Sequence, residues 1–341
     1  MSRDPQESFK THSNYIRAFS NLIIDPDSAA QHGLFESLKD RILASGILWH
    51  PGEAEIDLYS VRSSLNLAWG TEALLLMSSQ IANEEELVRL SNNWSAIQTY
   101  YVFYHCTQSL HIAKGHNRPA NHPTTQGLFV DYWGSRPFCM PPWTLSYGNA
   151  GASNTPLGFA PDLTVHPWAT NVGENTWNLA LKALMTTRRD ALKKKKLALQ
   201  ERKRSERRDI WKRREEQRRA EGRRPRREPR FPAPRLSDGE KDQVDVRLRP
   251  FSIMDYFYRL RIRTNYEDSN MFTDGPEDDG SSRLIWLALR RLTSTTLFLH
   301  ELAIKNLLGR DVFLGWVDNW LQRNAPARAR NGLAQRRSFF D

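Results

Sequence analysis

With 341 residues, 39% of them hydrophobic and including 11 Trp, 15 Phe and 10 Tyr, the chain can bury the core of one large domain or two ordinary ones. Its net charge of +10 is uneven: residues 188–235 hold 22 Lys+Arg against 8 Asp+Glu, leaving 27 basic against 31 acidic residues elsewhere, so a mildly acidic body carries one intensely basic segment. The sequence has no membrane-length apolar run, no secretory-type apolar stretch in MSRDPQESFKTHSNY, and no CxxC spacing for Cys106 or Cys139; this argues against a membrane span, a zinc centre and a disulfide framework, and a reducing, cytoplasmic setting is expected.

In chain order, residues 1–50 read as helices, NYIRAFSNLI and then SAAQHGLFESLKDRILASG with Gly46 as a C-terminal cap. Residues 51–130 form the first part of a bundle: a helix over 65–81 interrupted near Gly70, then a central helix starting at Asn92 or Asn93 as cap and ending at Lys114 and Gly115. In that second helix Trp94, Ile97, Tyr101, Tyr104 and Gln108 recur at three- and four-residue steps, and apolar residues cover most of its circumference, so it reads as core. Residues 131–173 are rich in Pro, Gly, Asn and aromatics and predict an irregular but ordered insertion.

Helix resumes near Glu174 and runs into the basic segment, where the apolar face fades after Leu184. Pro225 stops it, and RRPRREPRFPAP is expected to be extended or disordered, completing a unit over 174–245. Residues 246–325 supply the second part of the bundle: a helix over 252–266, the acidic turn TDGPEDDGSS, and a long helix with Ile285, Leu289, Leu292, Thr296, Leu299 and Ala303 on one face, closed by Gly309. DVFLGWVDNWLQR adds a short amphipathic piece, and 326–341 read as a flexible polar tail. There is no repeat and no strand pair, so the expected fold is all-α: a helical bundle with an ordered insertion and a protruding basic helical arm.

Candidate chemistry is sparse. No phosphate-cradling GK[ST] loop, HExxH or GxSxG occurs. The five- and six-residue spacings of His111, His116 and His122 put the first two on different faces with no carboxylate beside them, so no metal is expected, and no cofactor motif is present. His105 reads as a core histidine. Arg118 and His122 form a more suggestive pair, because an arginine can neutralise a phosphate oxygen while an imidazole moves a proton near neutral pH. In DYFYRLRIRTNYED, Arg261 and Asn265 share a helical face with Tyr266 about 100° further round; the plainer alternative is a buried arginine pinned by Asp255 or Asp268.

The two segments together resemble the HEPN superfamily, helical nucleotide- and RNA-associated domains common in prokaryotic toxin and defence systems. The resemblance lies in YYVFYHCTQSLHIAKG followed by His122 and Phe129, and in RIRTNY, where Tyr266 stands five residues after Arg261; it covers residues 92–130 and 250–308. It implies an up-and-down bundle of four or five helices, dimerised over a shared cleft, and, in catalytic members, metal-independent ribonuclease activity using an Arg followed four to six residues later by a His. Here Tyr266 occupies the histidine's place and TN replaces AD. Tyrosine, titrating near 10, is a poor base at pH 7, which leaves His122 to supply an imidazole beside Arg261, Arg118 and Tyr266.

The basic segment suits the phosphate backbone of a nucleic acid, RNA being favoured, through Lys193, Lys194, Lys195, Lys196, Arg204, Arg207, Arg208, Arg214 and Arg218, with Trp211 available to stack on a base. Two classes of function therefore stand: an RNA-engaging endoribonuclease of a defence or toxin system, or a non-catalytic nucleic-acid-binding or scaffold subunit of a larger complex.

Overall fold

The computed structural model describes residues 4–23, 31–44, 55–77, 85–134, 141–148, 174–324 and 332–341. It is an all-α bundle built round two long helices, α4 (Glu85–Ala113) and α10 (Asp279–Leu308). These run side by side in the same direction: Asn92 donates to the Ser282 carbonyl, Thr99 meets Thr293 at 3.0 Å, and Thr107 meets His300 at 3.3 Å. Small hydroxyl residues at this contact let the backbones approach while their hydroxyls bond to carbonyls one turn back, as Thr99 does to Ser95 and Thr293 to Leu289. Helix α3 (Leu58–Met77) packs antiparallel to both, with Ser109 donating to the Val61 carbonyl and Trp69 to Glu301. Helices α1 (Pro5–Asn21) and α2 (Gln31–Ala44) cover α10 from the other side.

Two parallel neighbours need a long connection, and residues 114–278 provide it. It starts with α5 (His122–Phe129), where Asn121 caps Thr124 N and Pro123 suits the first turn; a π-helical turn, Val130–Gly134, follows. Part of the aromatic insertion then packs: Trp133 and Trp143 are wholly buried and donate to His300 and Thr296 of α10. A two-residue strand β1 (Ser146–Tyr147) pairs antiparallel with β2 (Phe251–Ser252), a pairing too short to leave an alternating pattern in sequence. The rest of the insertion, and Gly46, lie outside the described residues.

The basic arm is a hairpin. Helix α6 (Glu174–Ala220) buries Trp177, Ala180, Leu181 and Leu184 against the bundle and then leaves it. Beyond Lys194 it continues for roughly 40 Å at 1.5 Å per residue. Gly222, at φ +74°, reverses the chain. The segment 223–236, expected as extended or disordered, is extended and lies back along the helix: Arg226 N donates to Glu215, Arg208 pairs with Glu228 at 2.6 Å, Trp211 meets Phe231 edge-on at 6.3 Å, and Gln200 donates to the Pro234 carbonyl. Helix α7 (Asp238–Val246), opened by a Ser237–Glu240 capping box, packs at the root, where Arg188 bonds Asp245. After β2 come α8 (Ile253–Ile262), a π-helical turn (Arg263–Glu267) and the single turn α9 (Met271–Asp274).

Several sequence expectations need correction. Helix α3 passes through Gly70 without interruption, since a single helical glycine costs only about 1 kcal/mol and the flanking Ala68, Trp69 and Glu72 are buried. Helix α4 begins at Glu85, so neither Asn92 nor Asn93 is a cap: both side chains reach sideways, to the carbonyls of Ser282 and Ser269. Trp94 is 66% exposed rather than core. The last ten residues are not a flexible tail. After α11 (Arg310–Arg323), helix α12 (Gly332–Arg336) and a 3-10 turn (Arg337–Phe340) dock into the bundle, burying Leu333, Phe339 and Phe340. Arg336 is the anchor: wholly buried, it bonds Glu72 at 2.6 and 2.9 Å and Glu301 at 2.7 and 2.8 Å.

Candidate functional site

Arg261 and His122 meet on one wall of tyrosines. Tyr258 and Arg261, three apart, share a face of α8, and Tyr100, Tyr101 and Tyr104 come from the middle of α4. The Arg261 guanidinium lies 5.6 Å from the ring centre of Tyr100, 5.3 Å from Tyr101 and 5.7 Å from Tyr258, within cation–π range of all three. The His122 ring sits 4.6 Å from Tyr104, 5.6 Å from Tyr258 and 5.7 Å from Tyr100, and its Nδ1 is 2.6 Å from the Tyr100 hydroxyl. Its Nε2 is neither buried nor hydrogen-bonded among the described residues.

Arg261 is not the pinned arginine of the plainer alternative. Asp255 is taken by Arg249 at 2.6 Å, and Asp268 by Arg263 at 3.3 Å. Arg261 has no ion pair among the described residues, and its Nε is buried without a hydrogen-bond partner. The neighbouring titratable groups are histidines. His105 stacks on Tyr101, and burial, with Arg118 and His122 adding to it, pushes its pKa down to about 4. Burial and the Arg261 charge likewise hold His122 below its ordinary 6.5, so it is neutral at physiological pH. Burial also raises the Tyr100 hydroxyl far above 10 although Arg261 opposes this, so it stays protonated. The result is a half-buried aromatic cleft whose guanidinium has no carboxylate partner among the described residues. Such a cleft favours an anion with a planar group attached.

A second set of contacts fixes the geometry. Arg249, just before β2, holds Asp255 of α8 through two parallel hydrogen bonds, 2.6 and 3.0 Å, and reaches Gln126 of α5 at 3.1 Å. It thus ties together the two helices that carry Arg261 and His122.

The other candidates fall further out. Arg118 is exposed at the edge, donating to Ser64 on α3, with its charge felt at His105. Tyr266 is 75% exposed on the π-helical turn and its ring joins none of the others among the described residues. His111 bonds the Tyr132 hydroxyl and stacks on His116 at 4.6 Å. Among the described residues no cluster of His, Cys, Asp or Glu could hold a metal, and no helix is long and apolar enough to cross a membrane.

On the arm, half the candidates are already engaged. Arg204, Arg208 and Arg218 pair with Glu201, Glu228 and Glu215, and Lys194 approaches Glu267. Trp211 is half-buried against Phe231, so it staples the hairpin instead of standing free to stack. Lys193, Lys195, Lys196, Arg207 and Arg214 have no ion pair among the described residues. The sequence reading missed Tyr258, Arg249 and Gln126. Only the i, i+3 relation of Tyr258 to Arg261 and the six-residue spacing of Arg249 to Asp255 were there to be seen; Gln126 is recognised by a partner more than a hundred residues away.

Comparison with protein-family models, curated proteins and solved structures found no match. The fold defines an all-α bundle, and the HEPN resemblance rests on the residues quoted above.

Proposed function

We propose that this protein engages RNA and cleaves it through Arg261 and His122, with the basic arm gripping the phosphate backbone. The observation that carries the proposal is the placement of an uncompensated guanidinium and a neutral imidazole against the same two rings, Tyr100 and Tyr258. With its Nδ1–H donated to the Tyr100 oxygen, His122 presents a lone pair on Nε2. That lone pair takes the proton of a ribose 2′-hydroxyl. The 2′ oxygen attacks the adjacent phosphorus, the bond to the 5′ oxygen breaks, and a proton from the imidazolium or from water neutralises the leaving alkoxide. Arg261, through its terminal guanidinium nitrogens, stabilises the charge that gathers on the phosphorane. The tyrosine faces receive the flanking bases.

The test is incubation of the full chain with end-labelled single-stranded RNA in EDTA. Expected are products with 2′,3′-cyclic phosphate ends, reduced about 100-fold or more in Arg261→Ala and in His122→Ala while the helical circular dichroism persists. Binding without cleavage by the wild-type chain would instead support a non-catalytic RNA-binding subunit, a reading favoured by the exposed Tyr266 at the position of the family histidine.

A further inference from the structure

We infer that the root of the arm holds a second nucleic-acid site, built for a single strand rather than a duplex: a groove of about 390 Å³ between α6 and the returning segment, with basic walls and a leucine floor. This rests on the proposed RNA engagement and names the form of substrate the arm takes.

The walls are Arg189, Lys193 and Lys196 of α6 and Arg235 of the return. None of these four has an ion pair or side-chain hydrogen bond among the described residues, whereas further out several arginines are paired: Arg202–Glu206, Arg204–Glu201, Arg208–Glu228, Arg218–Glu215 and Arg223–Glu221. No carboxylate lines the groove; Lys241 at its margin is paired with Asp238. What sets the root apart from the projecting helix is therefore concavity: four unpaired cations face one groove that no carboxylate lines.

The floor decides between strand forms. Leu192, Leu197 and Leu236 line the groove, and Leu197 is 52% exposed there. A duplex offers such a surface only phosphates and sugars, because its bases are stacked inside, and apolar side chains beneath them gain nothing. An unstacked strand can lay a base on the leucines while its phosphates meet the cations on either side. Position agrees with this. Asp190 and Lys194, in the same turns of α6, touch Arg259, Arg263 and Glu267, the residues immediately around Arg261. The groove thus lies where α6 joins the segment that carries the cleft arginine.

The experiment is fluorescence anisotropy of the full chain with a fluorescein-labelled 2′-O-methyl oligonucleotide, which resists cleavage, alone or annealed to its complement. The single strand should bind about tenfold more tightly than the duplex. Combined Lys193→Ala, Lys196→Ala and Arg235→Ala should weaken single-strand binding about tenfold or more and reduce the slope of log K against log salt by about 2. Combined Arg213→Ala, Arg214→Ala and Arg219→Ala at the tip should do distinctly less. Leu197→Gln, which keeps every charge and alters an exposed side chain, should weaken the single strand and leave the duplex unchanged. Equal or tighter duplex binding, or a groove variant no weaker than the tip variant, overturns the single-strand groove and leaves RNA engagement standing. If neither form binds, both proposals fall.

Discussion

Arg336→Met offers the sharpest test of how the C-terminal segment is held. In the folded chain Arg336, Glu72 and Glu301 are all fully buried, and four hydrogen bonds between 2.6 and 2.9 Å join them. Methionine fills similar volume but leaves two carboxylates facing each other without a cation. Removing one partner from a buried charge cluster costs about 3–5 kcal/mol. With an unfolding entropy of roughly 2.1 cal/mol/K per residue over 341 residues, that lowers the thermal midpoint by about 6 °C. The penalty also depends on pH. Burial already raises the Glu301 carboxyl above its ordinary 4.5, with Arg336 the chief opposing influence. Without the arginine its folded pKa rises further, so the folded state holds a proton that the unfolded state releases above 4.5. Stability of the variant then falls as pH rises from 4.5, and the deficit against wild type is greatest at neutral pH. The triple variant Arg336→Met, Glu72→Gln, Glu301→Gln removes the charges together, keeps amide acceptors for Ser294 and Trp69, and should recover most of the loss. Calorimetry between pH 5 and pH 7 makes the comparison. An unshifted midpoint in the single variant, or a triple variant equally unstable, would refute the assignment.

Two further outcomes concern the cleft and the arm. His122 should titrate below 6.5 by NMR, and Arg261→Ala should raise its pKa by removing a neighbouring positive charge; burial remains, so the value should not return fully to that of a free histidine. If Arg261→Ala leaves the titration unmoved, the two side chains do not share a cleft. Trp211→Ala removes the ring contact that pins the return segment, so trypsin should cut among residues 223–230 several-fold faster while the bundle's thermal midpoint stays within about 1 °C; unchanged proteolysis would mean that the Arg208–Glu228 and Glu215–Arg226 contacts suffice.

Part of this architecture is written in local pattern. The apolar periodicity of Ile285, Leu289, Leu292 and Leu299 specifies α10 because a helix repeats every 3.6 residues whatever surrounds it. The composition of residues 188–235 specifies an arm, since a helix charged on every side has no face to bury. Segment Arg261 to Tyr266 was legible as a candidate from its spacing, whereas the π-helical turn over Arg263–Glu267 was not, because spacing rules assume α-helical geometry throughout. Reading the aromatic helix as core alone was half right. Tyr100 and Phe103 are buried, yet Tyr101 and Tyr104 remain accessible as the cleft wall.

What local pattern could not decide was pairing. One of four arginines in the C-terminal tail, and single glutamates on two helices that carry other polar residues, give no sign in sequence that they will share one dry site; only the bundle brings Arg336 between Glu72 and Glu301. Local spacing is equally undecided at Asp255, which lies as near Arg249 as Arg261, and at Asp268, which has both Arg261 and Arg263 within two turns; in space Arg249 and Arg263 claim them. Helix formation depends on neighbours within a few residues, so the sequence by itself determined the elements and the basic arm. Beyond local i, i+3 and i, i+4 pairs, charge compensation depends on distance across the fold, so the tertiary structure decided which of the remaining cations are neutralised and which, Arg261 and those at the root of the arm among them, are left to meet an anion.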